Sequence, residues 1–444
     1  MLQAGNGRRR VAAIGVAMTF LVSGCGSATG TPAPTPAPTA SAGLFVDAGS
    51  DQGAISPLVY GTNTGPWLNV PFDLQSTIAA AKLKTVTFPG GNWGDENDVT
   101  TDEVDHFMDY CHLIKAEPRI VVRLLDGTAQ QAADLVKYTN ITMKYGVKYW
   151  GIGNEPDLYE SNRGVAGYDI NKYNKDWREL AKAMLAVDPT IQLVGPDISQ
   201  FVANPNGAYL QARTDWLTSF LKANGDLVSI VSIHRYPFPS DAQTLPTIAD
   251  LRSNGQEWDQ TIPALRTIVK AQTGKDLPVA VTEVNSSWAT NAGGDATMDS
   301  HYNAIWFADV LGRMIEQKVF MVDQFALAGD WGIVGGTAPK PMYYSYMMYQ
   351  LFGTSLVKAH SDDPLVTVYA AKRVDGTLTI MIVNLGDASA TKPLTIVGGG
   401  TPASAATWLF DKDHTAQSVA ATPLSAGGTI TLPGQSVTLL AVAK

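Results

Sequence analysis

The chain has 444 residues and a formal net charge of −9, from 32 Lys+Arg against 41 Asp+Glu; 45% of its residues are hydrophobic and 16% charged. It can bury a sizeable core, which excludes a disordered solvating polymer, and the acidic balance excludes a nucleic-acid binder with a basic stripe. With 2 Cys and 6 His, a disulfide scaffold is excluded and a Cys-rich zinc site is not expected.

The chain opens with Arg8, Arg9 and Arg10, the apolar run Val11 to Val22, and then Ser23-Gly24-Cys25. That run is too short for a mature bilayer span but suits a signal peptide. Small residues immediately before Cys25 resemble a bacterial lipobox, so residues 1–24 read as a lipoprotein-type signal and Cys25 as the lipidation site. Residues 25–43 form a Thr/Pro/Ala-rich linker, with Pro32, Pro34, Pro36 and Pro38 favouring an extended spacer. These features predict a location at the extracellular face of a bacterial membrane, held by an N-terminal lipid anchor, or secretion. Cys111, without an intramolecular partner, is expected to be a buried thiol.

Residues 44–54 are predicted to add a strand to a C-terminal β-domain. From residue 55 onward, short apolar runs alternate with longer stretches of helical period. The strand candidates are 58–61, 85–88, 119–124, 149–152, 192–194, 228–234, 279–284 and 320–325; helices are expected over 130–145, 174–187, 300–317 and 341–352. Eight strand–helix units imply a (β/α)8 TIM barrel over 55–353. Residues 354–444 alternate in strand fashion between Gly, Asp and Pro turns and read as an antiparallel β-sandwich.

Barrel active sites are built at the C-terminal ends of the strands. The fourth strand ends in Gly153-Asn154-Glu155-Pro156-Asp157 and the seventh in Thr282-Glu283-Val284-Asn285-Ser286. One strand-end Glu is ordinarily a salt-bridge partner. Two, on strands four and seven of one barrel, suit glycoside hydrolysis, where one carboxyl protonates the leaving oxygen and the other attacks or activates water. Spacing in sequence leaves retention and inversion open.

Asn154-Glu155-Pro156 together with Glu283 resembles the clan A retaining TIM-barrel glycosidases. The resemblance implies Glu155 as general acid/base, Glu283 as nucleophile, and Asn154 on the sugar 2-hydroxyl. Tyr60-Gly61-Thr62-Asn63, Phe88-Pro89-Gly90-Gly91-Asn92 and His234-Arg235-Tyr236-Pro237 also look like clan members. The resemblance implies that Tyr236 hydrogen-bonds the nucleophile, that His234 lines the same pocket, and that Asn63 and Asn92 bind substrate. Clan members often carry an Arg where this chain has Thr87, and Arg123 is a candidate substitute. The strand-four and strand-seven motifs look most like the heparanase and β-glucuronidase family, and the Pro-Gly-Gly-Asn loop more like the α-L-arabinofuranosidase and β-xylosidase families. The donor sugar is left open, although a net charge of −9 does not favour uronic acids.

Sugar rings present apolar C–H faces to aromatic rings. Trp67, Trp93, Tyr159, Trp288 and Trp331 follow strand ends; Trp93, Trp288 and Trp331 are read as substrate contacts, whereas Trp150 is read as core. The run Asp95-Glu96-Asn97-Asp98 lacks the EF-hand pattern and reads as a solvated loop before a helix, with no full capping box at Thr101. Neither metal nor organic cofactor is called for. The expected function is retaining hydrolysis of an extracellular oligo- or polysaccharide. A non-catalytic, lipid-anchored carbohydrate-binding protein and a transglycosylase are the alternatives.

Overall fold

The computed structural model describes residues 42–443 apart from 69, 239–244, 291, 400–402 and 426. Cys25 and the leader expectations therefore lie outside the described residues. Among the described residues, no helix is long and apolar enough to cross a membrane.

Strand β1 is Leu44–Ala54. Eight parallel strands then close a barrel: β2 (Gly61–Asn63), β3 (Thr85–Phe88), β4 (Glu117–Val122), β5 (Tyr149–Ile152), β6 (Gln192–Ile198), β7 (Ile230–Arg235), β8 (Val279–Val284) and β9 (Met321–Gln324). Helices between them shield the outer face, so the strands are buried on both sides, as Val279–Val284 is along its whole length. The first strand begins three residues later than the apolar run at 58–61 suggests. Ser56 caps a 3-10 turn over Pro57–Val59 instead. At Gly61 an added Cβ would lie 2.0 Å from Asp323 Oδ1, which no side chain tolerates.

The barrel interior is partly polar. The buried Arg119 guanidinium pairs with Asp197 and donates to Thr87 Oγ1 at 3.3 Å. The Thr87 hydroxyl donates to Asp323 Oδ2 at 2.8 Å, and the Thr282 hydroxyl to Asp197 Oδ1 at 2.5 Å. Charges buried this deeply persist only with such partners. The helix Thr101–Ile114 does carry a capping box, one residue before the Thr101 position considered above. Thr100 Oγ1 accepts from Glu103 N at 3.2 Å, and Glu103 Oε2 accepts from Thr100 N at 2.8 Å. The stretch expected as a helix over 130–145 is α-helical over Ala129–Val136 and continues as a π-helical turn over Lys137–Thr142.

After the barrel come a two-stranded hairpin, β10 (Val334–Gly335) with β11 (Ala338–Pro339), and the helix Pro341–Tyr349. Eight further strands follow: β12 (Ser355–Ser361), β13 (Val366–Lys372), β14 (Leu378–Asn384), β15 (Ala390–Val397), β16 (Ser404–Phe410), β17 (Gln417–Pro423), β18 (Thr429–Leu432) and β19 (Ser436–Val442). With β1 they run in the order β17-β16-β19-β14-β13-β12-β1-β15-β18. Their pairing is antiparallel except between β1 and β15, where a strand arriving from the N-terminal side lies parallel. Leu44, Val46, Val368, Ile380, Ile382 and Leu440 fill this domain's own core.

The helix His301–Glu316 is buried on nearly every side between barrel and β-domain. At Gly312 an added Cβ would meet the Tyr369 ring at 2.3 Å, so glycine lets the two layers approach. Beside it the buried Asp309 accepts from Arg313 Nε (2.9 Å), Thr367 Oγ1 (2.6 Å) and Tyr369 OH (2.7 Å). Asp309→Ala strands three buried donors and is expected to cost about 3–5 kcal/mol, read as a lowered denaturation midpoint with the barrel and β-domain transitions both affected.

Candidate active site

The C-terminal ends of the strands form a cleft of about 810 Å³ that contains both strand-end glutamates. Glu283 lies within β8, 5% exposed. The Tyr236 hydroxyl donates to its Oε2 at 2.6 Å and the Gly91 backbone N–H to its Oε1 at 3.1 Å. Burial pushes the Glu283 carboxyl up to about 7, against the pull of the His234 charge and the Tyr236 hydrogen bond.

Glu155 follows β5 with a φ of 44°, a left-handed conformation that a non-glycine residue holds only when its surroundings impose it. Those surroundings are visible. The Glu155 N–H donates to Asp197 O at 3.1 Å, and the preceding Asn154 N–H donates to Asp95 Oδ2 at 2.6 Å. Asp95 also accepts from Leu124 N at 2.9 Å and from the Tyr159 hydroxyl, and it pairs with Arg163 at 3.2 Å. Asp95 is thus fully buried and anchors the loop that carries Glu155. This corrects the expectation of a solvated acidic run; Asp98 and Glu96 alone keep that character, Asp98 pairing with Arg123 and Glu96 lining the cleft.

His234 is 1% exposed and sits beneath the two glutamates rather than along the open cleft. Its Nδ1 is 3.2 Å from Glu155 Oε1 and 3.6 Å from Glu283 Oε2, and its Nε2 is 3.8 Å from Asp197 Oδ1. Burial lowers its pKa, but Glu283, Glu155 and Asp197 outweigh this and raise it to about 9, because the surrounding carboxylates favour the imidazolium form. One ligand atom each from Glu155, His234 and Glu283 lies within 4.8 Å of the others. Because the imidazolium pulls the Glu283 pKa down, His234→Phe is expected to move the acidic limb of the pH–rate profile to higher pH, measured as kcat/KM between pH 4 and 9.

Asn154 Nδ2 donates to Asn92 Oδ1 at 3.1 Å, and Arg163 reaches both Asn92 Oδ1 and Asn154 O from behind. Trp67 stacks on Phe325 with centroids 5.5 Å apart, and Trp331 meets both edge-on at 6.2 and 5.9 Å. The Trp331 indole N–H donates to Trp288 O at 2.9 Å, which fixes the rim. Trp93, Trp288 and Trp331 all line the cleft. Trp150 and Tyr159 are fully buried core.

The structure does not bring Asn63 to the cleft. It is 1% exposed, its Nδ2 donates to Thr282 O at 3.0 Å, and Gly90 packs against its side chain. Arg123 does not substitute for the missing clan arginine either, since it turns outward to Asp98 and Leu125 O. Arg119, from inside the barrel, is the guanidinium that contacts Thr87. Cleft residues without a sequence signal include Gln200, Tyr209, Leu158 and Asn162.

Residues 123–312 match the family model described as glycosyl hydrolase family 79, N-terminal domain. The chain is 22% identical over 360 residues to an intracellular exo-α-(1→5)-L-arabinofuranosidase of Bacillus subtilis (strain 168), covering 66% of this chain and 68% of that one. It is 24% identical over 251 residues to heparanase of Rattus norvegicus, covering 53% of this chain and 44% of that one, so it spans under half the heparanase length. The fold matches the crystal structure of an α-L-arabinofuranosidase from Thermotoga maritima with a TM-score of 0.73 at 18% identity, over 90% of this chain and 100% of that one. The matched family and these relatives are glycoside hydrolases, and the barrel has the fold of the Thermotoga maritima enzyme.

Proposed function

We propose that this glycoside hydrolase cleaves O-glycosidic bonds with retention, by double displacement. Glu283 attacks the anomeric carbon as the Glu155 carboxyl gives its proton to the leaving oxygen; the ester so formed is then hydrolysed by a water from which Glu155 takes a proton. Asn154 and Asn92 hold sugar hydroxyls, and Trp67, Trp93 and Trp331 supply the apolar walls. The observation that carries the reading is the carboxyl separation. One carboxylate oxygen of Glu155 and one of Glu283 lie within 4.8 Å of each other, a closest approach in keeping with the retaining carboxyl spacing of about 5–5.5 Å.

Charge favours a neutral donor. Glu96, Glu155 and Glu283 line the cleft, and no Lys or Arg does among the described residues. Arg163 and Arg235 turn to Asp95 and Glu257 behind the wall. A uronate would be desolvated beside carboxylates with no cation in the wall facing it. An arabinofuranosyl group, the donor named for the Bacillus relative, is the first candidate. The substrate lies outside the cell, where the sequence of residues 8–25 directs the chain as a lipid-anchored protein. The test is a panel of 4-nitrophenyl arabinofuranoside, xyloside, glucoside and glucuronide, with the first-formed anomer read by NMR. The expected result is turnover of a neutral glycoside with the retained anomer formed first; an inverted anomer, or turnover of the glucuronide alone, contradicts the respective half of the proposal.

A further inference from the structure

The cleft that holds Glu155 is also lined by Tyr209, in the first turn of the helix Ala208–Asn224. Tyr209 is 56% exposed. An exposed ring ordinarily moves freely, but this one has a pedestal: the Arg213 guanidinium lies 3.9 Å from its centroid. Arg213 is itself buried and held on three sides. Its Nε is 3.0 Å from Asp157 Oδ2 and 3.2 Å from Ser199 Oγ, and its Nη1 donates to Tyr209 O at 3.3 Å. The Ser199 hydroxyl in turn donates to Asp157 Oδ2 at 2.6 Å. Asp157 is two residues after Glu155 in the same loop. A chain of contacts therefore connects the acid/base loop to the ring, through a salt bridge whose side chains are 7% and 0% exposed.

Double displacement places the donor sugar against Glu283 and its neighbours, and the leaving group on the side of Glu155. Leu158 and Asn162, on the segment that follows Glu155, line the cleft together with Tyr209, and Arg213 beneath the Tyr209 ring pairs with Asp157 of that same segment, which ties the ring to the Glu155 side. From this geometry we infer that Tyr209, braced by Arg213, is a stacking platform for a sugar unit on the leaving-group side, and that the enzyme selects saccharide over ring-free leaving groups. Arg213 is a positioning residue: it fixes the ring, and its pairing with Asp157 keeps the platform in register with Glu155. The ring contributes its flat face, as aromatic residues do for the C–H faces of sugars.

The inference rests on the proposed glycosidase function, and one experiment separates the two. The wild type, Tyr209→Leu, Tyr209→Ala and Tyr209→Phe are assayed on glycosyl fluorides, which carry no ring in the leaving group, and on trisaccharides, in each case of L-arabinofuranose, D-xylose and D-glucose. For whichever sugar is turned over, Tyr209→Leu and Tyr209→Ala are expected to lower the ratio of trisaccharide to fluoride kcat/KM about tenfold, mainly through KM, because a lost stacking contact of this kind is worth about that factor. Tyr209→Phe, which keeps the ring, is expected to restore the ratio. An unchanged ratio in Tyr209→Leu and Tyr209→Ala, whether both substrates are affected equally or neither is, overturns the platform. A wild type that cleaves no fluoride and no trisaccharide overturns the glycosidase function and the platform with it, and that failure is read before any variant is compared.

Discussion

Glu283→Gln is expected to lower kcat on an aryl glycoside by on the order of 10⁴-fold or more, with an unchanged thermal midpoint. The amide keeps the shape of the carboxyl: its oxygen in the place of Oε1 can still accept from Gly91 N (3.1 Å in the native chain), and its NH2 in the place of Oε2 can donate to the Tyr236 hydroxyl oxygen (2.6 Å). It cannot attack carbon. The loss is therefore chemical rather than structural, and steady-state kinetics alongside a thermal melt separates the two. The effect should exceed that of any cleft aromatic, because a stacking residue contributes binding whereas Glu283 forms the bond. It should also be nearly the same for good and poor leaving groups, since every substrate requires the same nucleophile.

Glu155→Gln should differ in that respect. General acid catalysis contributes about 10²–10⁴-fold, and a leaving group that needs no proton escapes the loss in the first step. The variant is expected to fall by about that factor on alkyl and saccharide glycosides. On a 2,4-dinitrophenyl glycoside it should show a rapid burst followed by slow turnover, because hydrolysis of the ester still needs Glu155 to take a proton from water. Azide, which attacks without a base, should restore turnover and release a glycosyl azide. Stopped-flow absorbance of dinitrophenolate measures the burst directly. Equal losses on all leaving groups, with no burst, would remove Glu155 from the acid/base role.

Much of the site was legible because its chemistry lies in short contiguous motifs at strand ends. Glu155 with Asn154, and Glu283, each sit where an apolar run meets turn residues, and the structure brings them together with Tyr236 and Asn92. What was not legible depends on partners distant in sequence. Asp95 stands in an acidic run that looks solvated; its contacts to Leu124, Asn154, Tyr159 and Arg163 exist only after three loops converge. Arg119 lies within the apolar fourth-last stretch of β4, where alternation does not reveal that its partner Asp197 lies on β6. Asn63 illustrates the opposite error: a strand-end position alone does not say whether a side chain faces the cleft or the neighbouring strand. In the β-domain, strands β13, β14, β16 and β19 bury residues and so show a pattern. Gln417–Pro423 buries none and shows no such pattern. Tyr209 lacked any motif, because its place in the cleft comes from a buried pair formed by Arg213 of its own helix and Asp157 of the acid/base loop.

Double displacement requires a covalent bond between Glu283 and the donor sugar. A 2-deoxy-2-fluoro glycosyl fluoride of the preferred sugar slows both steps but keeps an active leaving group, so the ester should accumulate. Mass spectrometry of the intact protein should then show one added fluorosugar, and fragmentation of the peptide containing residues 279–288 should place it on Glu283. A protein that turns over the parent glycoside yet gains no such mass, or that carries the label on Glu155 or Glu96 instead, would contradict the account.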